Sequence, residues 1–237
     1  MVFYVVILFL CAGSSIPLAA MAWHRRPSRG ALPLFFFLAC IGWSCFAYAQ
    51  NLMSPDLAGK QFWNHAEYLG GMFLTPLMLV LALVFTHREK WLRPAPLLLL
   101  FAIPVFALLA NWTNPWHHLY YTATWIDASG PLPVLAKSRG PLYAVKFLYA
   151  YAAAAFALVL LARSIRRADS STRPQLWLLL AAFLLPVLLN APYLLRLMPH
   201  KHVNLTLLGF VAASALISIA MFRYRLLAEA LLEKQRF

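Results

Sequence analysis

Seven long apolar stretches, separated by short polar segments, constrain the fold of this 237-residue chain more than any other feature. Each is about 17 to 23 residues long, enough for a helix to cross the roughly 30 Å hydrocarbon core of a bilayer. Their apolar character is continuous rather than alternating, which excludes a membrane β-barrel. Helices also satisfy their own backbone groups in lipid. The sequence therefore predicts an all-α, polytopic membrane protein with a seven-transmembrane helix bundle over 1–222. The stretches cover residues 2–23, 31–51, 64–86, 95–111, 141–163, 175–195 and 203–222.

The composition agrees with this prediction. Hydrophobic residues make up 63% of the chain and charged residues only 11%, too few to cover the surface of a water-soluble domain. The first stretch has no basic residue before it, and Arg25 and Arg26 follow it. A cleaved signal peptide carries its positive charge in front, so we expect a retained first helix.

The excess of positive charge follows the predicted topology. The chain has 20 Lys and Arg against 7 Asp and Glu, a net charge of +13. Most of the basic residues lie in alternate segments between the stretches, which the positive-inside rule assigns to the cytoplasm. We therefore expect the N-terminus outside, the C-terminus in the cytoplasm, contact with membrane lipid and no nucleic-acid partner. The minority on the outer side comprises Lys60, Lys137, Arg139, Lys146, Arg196 and Lys201.

The longest segment between stretches, 112–140, is external in this topology and rich in Trp and Tyr. Long loops in compact domains are usually functional or disordered, and this one is too aromatic for disorder. Two interpretations stay open. The segment forms an aromatic belt at the membrane interface, or it forms a lid over an outward pocket.

Ionisable and amide side chains inside apolar spans are functional hypotheses by default. Glu67 and Lys146 lie at similar depths from the outer side and could pair, although Lys146 could instead snorkel to the interface. Asn190 and Tyr193 lie near the outer end of the sixth stretch. Pro186 and Pro192 in the same stretch are candidate hinges, or they simply shape the bundle.

Enzyme and cofactor motifs are missing from the sequence. The chain has no nucleophile elbow, zinc-protease motif or phosphate-binding loop. The three Cys and the outer His residues lack metal-ligand spacing. We therefore expect no catalytic residue, no metal, no cofactor and no enzymatic activity.

A set of short motifs in fixed order resembles the N-terminal seven-transmembrane sensor region of bacterial histidine kinases and related diguanylate cyclases. The resemblance implies that Glu67, Asn114 and His117 belong to an outward polar cluster. We add Asn190 and Tyr193 to this predicted ligand-binding set. The motifs are Glu67 with Thr75-Pro76-Leu77, residues 113–119 (TNPWHHL), Tyr149-Ala150-Tyr151, Arg173-Pro174-Gln175, Pro186 with Asn190 and Tyr193, Leu208-Gly209-Phe210 and residues 223–227 (RYRLL).

The resemblance implies a signalling role in the inner (plasma) membrane of a bacterium. The bundle would sense an external or membrane-dissolved small ligand and signal through its seventh helix and a cytoplasmic helical tail, 223–237. Its output would be a cytoplasmic kinase or cyclase domain, a partner, or a homodimer. Because the chain ends at Phe237, we expect a sensor fragment or a stand-alone protein acting through a partner. The alternative is a non-catalytic interaction subunit of a larger membrane complex.

Overall fold

A computed structural model describes residues 2–26, 28, 30–130, 133–194 and 205–223 of the chain. Helices dominate, and a single-turn 3₁₀ helix lies at Glu89–Trp91. Two antiparallel strands form a hairpin, β1 (Tyr121–Asp127) and β2 (Val134–Arg139). The α-helices are α1 (Val2–His24), α2 (Ala31–Met53), α3 (Leu57–Gly71), α4 (Leu74–Phe85), α5 (Pro94–Trp112), α6 (Asn114–His117), α7 (Pro141–Ile165), α8 (Arg173–Leu194) and α9 (Thr206–Arg223).

Six helical segments of the described chain are long and apolar enough to cross a membrane. The chain is thus a multi-pass helical membrane protein. The seventh predicted stretch coincides with the apolar segment Thr206–Met221 of α9, which is shorter than the other six. The predicted tail, 223–237, lies outside the described residues except for Arg223, which ends α9. The six segments are Phe3–His24, Ala31–Met53, Leu57–Phe85, Pro94–Trp112, Pro141–Ile165 and Arg173–Asn190.

The third span differs from its prediction at both its start and its middle. It begins at Leu57 rather than residue 64, and the polar side chains that α3 buries are Lys60, Asn64 and Glu67. Between α3 and α4 the helix is interrupted at Met72 and Phe73. Pro76 has no N–H to donate to the carbonyl of Met72, which explains the break.

Lys60 is one of these buried polar residues, and it holds the end of α2. Its side chain is fully buried, and its Nζ donates to the backbone oxygens of Asn51 at 2.9 Å and Leu52 at 3.4 Å. In return, the Asn51 Nδ2 donates to the Lys60 carbonyl at 2.5 Å. The last carbonyls of a helix lack intrahelical partners, so this lysine satisfies groups that would otherwise be buried without one.

We expect Lys60→Met to lower the free energy of unfolding by about 2–3 kcal/mol, because the carbonyls of Asn51 and Leu52 lose a charged donor. Unfolding by SDS titration of the protein in mixed micelles would measure this loss. Lys90→Met is the matched control, since Lys90 is exposed in the 3₁₀ turn. Equal stability of the two variants would contradict the capping role.

The core centres on α2, which packs against α1, α3, α4 and α9. Phe37 of α2 lies edge-to-face with Phe183 of α8 at 5.9 Å and with Phe210 of α9 at 6.3 Å between ring centroids. Helices α8 and α9 approach so closely that a Cβ at Gly209 would lie 2.5 Å from the Cα of Pro186. Only glycine allows this approach of two backbones.

The predicted external loop, 112–140, contains the β-hairpin. The prediction of an all-α fold is therefore wrong for this one segment. Thr124 pairs with Lys137 and Asp127 with Val134, and the register shifts between Tyr121 and Ala123. Strand β2 packs against α2 and α3 at one end of the bundle. We call this the hairpin end.

Candidate ligand-binding site

A cavity of about 130 Å³ lies at the hairpin end, lined by residues of α2, α3, α4, α7, α8, α9 and the hairpin. We call it the polar cavity. Charged side chains from three different elements line it, although charged residues are rare within the membrane-spanning part of a protein. These groups are Glu67 of α3, Lys137 and Arg139 of β2, and Lys146 of α7. Residues of both strands of the hairpin thus form part of the wall of this cavity.

Glu67 is the carboxylate of the site. Its side chain is only 8% exposed, and it lies one helical turn before α3 ends at Gly71. The positive charges of Lys137 and Lys146 act on it. Within the described part of the chain, no ion pair of 4 Å or less joins Glu67 to either lysine. Glu67 and Lys146 therefore line one cavity without the direct ion pair that the sequence allowed.

The two lysines of the polar cavity, Lys137 and Lys146, lie over tyrosine rings. The Lys137 Nζ lies 5.6 Å from the Tyr68 ring centroid and 5.4 Å from that of Tyr121. The Lys146 Nζ lies 5.9 Å from Tyr68 and 5.8 Å from Tyr143. Cation–π contacts of this kind hold a cation in place without neutralising its charge.

Hydrogen bonds and ring contacts fix these groups further. Lys137 donates from Nζ to the Asn64 Oδ1, and the hydroxyl groups of Tyr68 and Tyr121 are hydrogen-bonded to each other. Tyr120 packs edge-to-face on Tyr121 at 4.9 Å, and burial raises the pKa of the Tyr120 phenol, which therefore stays neutral. The lysines are thus held against a layer of packed tyrosine rings.

Uncharged polar side chains also line the polar cavity, among them Asn190 and Ser44. The Asn190 Nδ2 donates to the Tyr151 hydroxyl at 2.8 Å, which leaves its Oδ1 for another partner. Ser44 of α2 is fully buried, and its hydroxyl has no partner in the described part of the chain. The side chains of Pro192 and Tyr193, which we predicted as a hinge and a ligand contact, lie outside the described residues.

Asn114 and His117 lie in a different place from Glu67 and Asn190. Asn114 accepts from the backbone N–H groups of Tyr120 and Tyr121 at 2.9 and 3.0 Å and donates to the Tyr121 carbonyl at 2.9 Å. The His117 Nδ1 accepts from the Leu119 N–H, and its Nε2 is 3.1 Å from the Thr113 hydroxyl. Neither residue lines the polar cavity. Both fix the turn that leads into the hairpin.

A second cavity, of about 280 Å³, lies between α3, α5, α6 and the hairpin. Asn114 and Asn111 line it together with His65 and His118. Asn111 is fully buried, and neither of its amide atoms has a partner among the described residues. Within those residues, no group of three or more His, Cys, Asp or Glu side chains is placed to hold a metal ion.

A family model for the N-terminal seven-transmembrane region of histidine kinase matches residues 7–228 of the chain. The chain belongs to this family. A search of the curated proteins found no match. The match confirms the resemblance inferred from the short motifs and identifies the polar cavity as part of a histidine kinase seven-transmembrane region. Such a region is the sensor, or input, module of a signalling protein and is not itself catalytic.

The sequence predicted only part of the lining of the polar cavity in this histidine kinase region. It selected Glu67 and Asn190 and considered Lys146, but it missed Lys137, Arg139 and the tyrosines. One signal was available. Lys137 and Arg139 belong to the minority of basic residues on the predicted outer side, where the positive-inside rule does not explain them.

Proposed function

We propose that this chain is the input module of a bacterial membrane sensor and that it binds a small anionic ligand in the polar cavity. The observation that carries the proposal is the convergence of three cations and one carboxylate on a single cavity. The cations leave an excess of two positive charges. Such an excess in a partly buried site attracts anions and repels cationic ligands.

The unfilled hydrogen-bonding capacity of the cavity supports the same proposal. Ser44 has a buried hydroxyl without a partner in the described part of the chain, and Asn190 has a spare Oδ1. Buried polar groups in native proteins nearly always have partners, so a ligand or water is expected beside them. Glu67 sets an orientation, because a bound anion lies away from it and towards Lys146.

We place the hairpin end outside and the cytoplasmic end opposite, as the positive-inside rule indicates. The ligand then enters from outside an inner (plasma) membrane. Helix α9, the seventh span of our topology, contributes Thr206, Leu207 and Phe210 to the cavity wall. A ligand shifts a conformational equilibrium only through different affinities for the two states. An anion that favours one position of α9 would therefore bias a cytoplasmic kinase or cyclase output, directly or through a homodimer.

We expect Lys146→Gln and Glu67→Gln to change anion affinity in opposite directions. Lys146→Gln removes a charged partner and should weaken the binding of acetate or phosphate about 10-fold. Glu67→Gln removes a repulsive charge and should strengthen it by a similar factor. The measurement is a titration of the purified protein in nanodiscs at constant ionic strength, followed by the rise of its unfolding temperature.

Lys90→Gln is the matched control for charge, since Lys90 is exposed and does not line the polar cavity. Arg139→Gln is a second test, because this exposed residue lines the same cavity and its loss should also weaken anion binding. If both cavity variants bind the anions as tightly as the unaltered protein, the proposal is wrong. It is equally wrong if Glu67→Gln weakens binding as much as Lys146→Gln.

A further inference from the structure

An apolar chamber of about 120 Å³ adjoins the polar cavity on the side away from the hairpin. The two spaces share a wall formed by Leu74, Lys146 and Phe210, among other residues. From there the chamber extends along α7 past Ala150 to Ala154, which is two helical turns beyond Lys146. It therefore lies deeper in the bundle than the charged groups.

The character of the lining changes at this shared wall. Among the described residues that line the chamber, Lys146 is the one charged group, and it lies at the junction with the polar cavity. Farther in, the walls are mostly apolar, with Met78 of α4, Phe147 of α7 and Val187 of α8. The polar side chains there are the uncharged Thr75 and Tyr151. A charged site and an apolar site are thus joined end to end.

We propose that the ligand is an anion that carries one short apolar chain, with its head beside Lys146 and its chain in this chamber. The proposal rests on the anion site proposed above and names the class of molecule that fills it. Both spaces are small beside the 300–1,000 Å³ of drug-sized pockets, which excludes a two-chain lipid or a polycyclic molecule. A short linear carboxylate fits the charge and the shape.

The chamber also gives the chain of the ligand a route to the output helix. Pro186 lines the chamber, and its backbone packs directly against Gly209 of α9. A chain that fills the chamber presses on the α8–α9 contact, whereas an anion without a chain occupies the polar cavity alone. Chain length, and not only charge, therefore governs the response.

The test is a series of linear carboxylates, from acetate to decanoate, titrated against the full chain in nanodiscs. Burial of one methylene contributes about 0.8 kcal/mol, so affinity should rise about 4-fold per carbon and then level off when the chamber is full. Octanol serves as the uncharged counterpart of octanoate and should bind at least 10-fold more weakly.

Ala150→Leu should reduce the affinity for octanoate about 10-fold while leaving acetate unchanged, because the added side chain fills the chamber. Ala152→Leu is the matched control, since Ala152 is exposed two residues farther along α7. Long acids partition into the bilayer equally in the two experiments. The ratio of the octanoate affinities of the two variants is therefore independent of this partitioning.

The possible outcomes separate this inference from the proposed function. If acetate and octanoate bind equally and Ala150→Leu has no effect, the chamber holds no chain and only the anion site remains. If octanol binds as tightly as octanoate, the anionic head is wrong. If none of the acids binds, both proposals are overturned.

Discussion

Gly209→Ala should destabilise the protein by about 3 kcal/mol, the upper part of the range for an overpacked core. An added Cβ would lie 2.5 Å from the Cα and 2.8 Å from the nitrogen of Pro186, and 3.1 Å from the carbonyl carbon of Leu185. All three are backbone atoms, which no change of rotamer can move. Helices α8 and α9 must therefore separate.

The measurement is SDS-induced unfolding, together with the affinity for octanoate. Separation of α8 from α9 changes the walls of both the polar cavity and the apolar chamber, so octanoate affinity should fall with stability. Gly13→Ala is the matched control. Gly13 is exposed on α1 with no atom within 4 Å of an added Cβ, and this variant should gain about 0.5–1 kcal/mol. Destabilisation by the same amount at both sites would contradict the close contact.

Asn114→Ala should destabilise the hairpin by about 2–4 kcal/mol and reduce anion affinity at least 10-fold. The side chain makes three hydrogen bonds to the backbone of Tyr120 and Tyr121, and each contributes about 0.5–1.5 kcal/mol. Loss of these bonds frees the start of β1. Lys137 and Arg139 on the paired strand then lose their fixed positions over the polar cavity.

Amide hydrogen exchange in β1 and β2 would measure this loosening. Asn114→Asp is the control, because its carboxylate still accepts from both N–H groups and should retain most of the protection. If Asn114→Ala abolishes anion binding while hairpin exchange is unchanged, the residue contacts the ligand directly. That result would support the direct ligand contact predicted from the sequence and contradict a positioning role.

The apolar stretches predicted most of the fold, because hydropathy over about 20 residues reports directly on membrane insertion. The prediction was wrong where the hydropathy of a short segment does not match the burial or the structure of that segment. Lys60 and Gln61 led us to begin the third stretch only at residue 64, yet Lys60 is buried and bonds to the end of α2. The hairpin was missed because β1 and β2 are short, half exposed and separated from any other strand of the described chain.

The sequence revealed a cavity residue only where its residue type is rare in its surroundings. Glu67 was found because a carboxylate inside an apolar span is rare. Lys137 and Arg139 were not found because basic residues in an external loop are ordinary, and their register on β2 is not visible in a single sequence. Asn114 was selected from a motif, and its hydrogen bonds show that the motif holds a turn.

The sequence by itself determined that the chain spans a membrane several times as helices, because those properties depend on local composition. It also determined the family, because the order of the short motifs can be read without knowing which residues they contact. Only the tertiary structure decided that Glu67, Lys137, Arg139 and Lys146 face one cavity. They come from α3, β2 and α7, up to 79 positions apart in the chain. Their convergence depends on how the hairpin packs on the helices, and that packing comes from contacts distant in sequence.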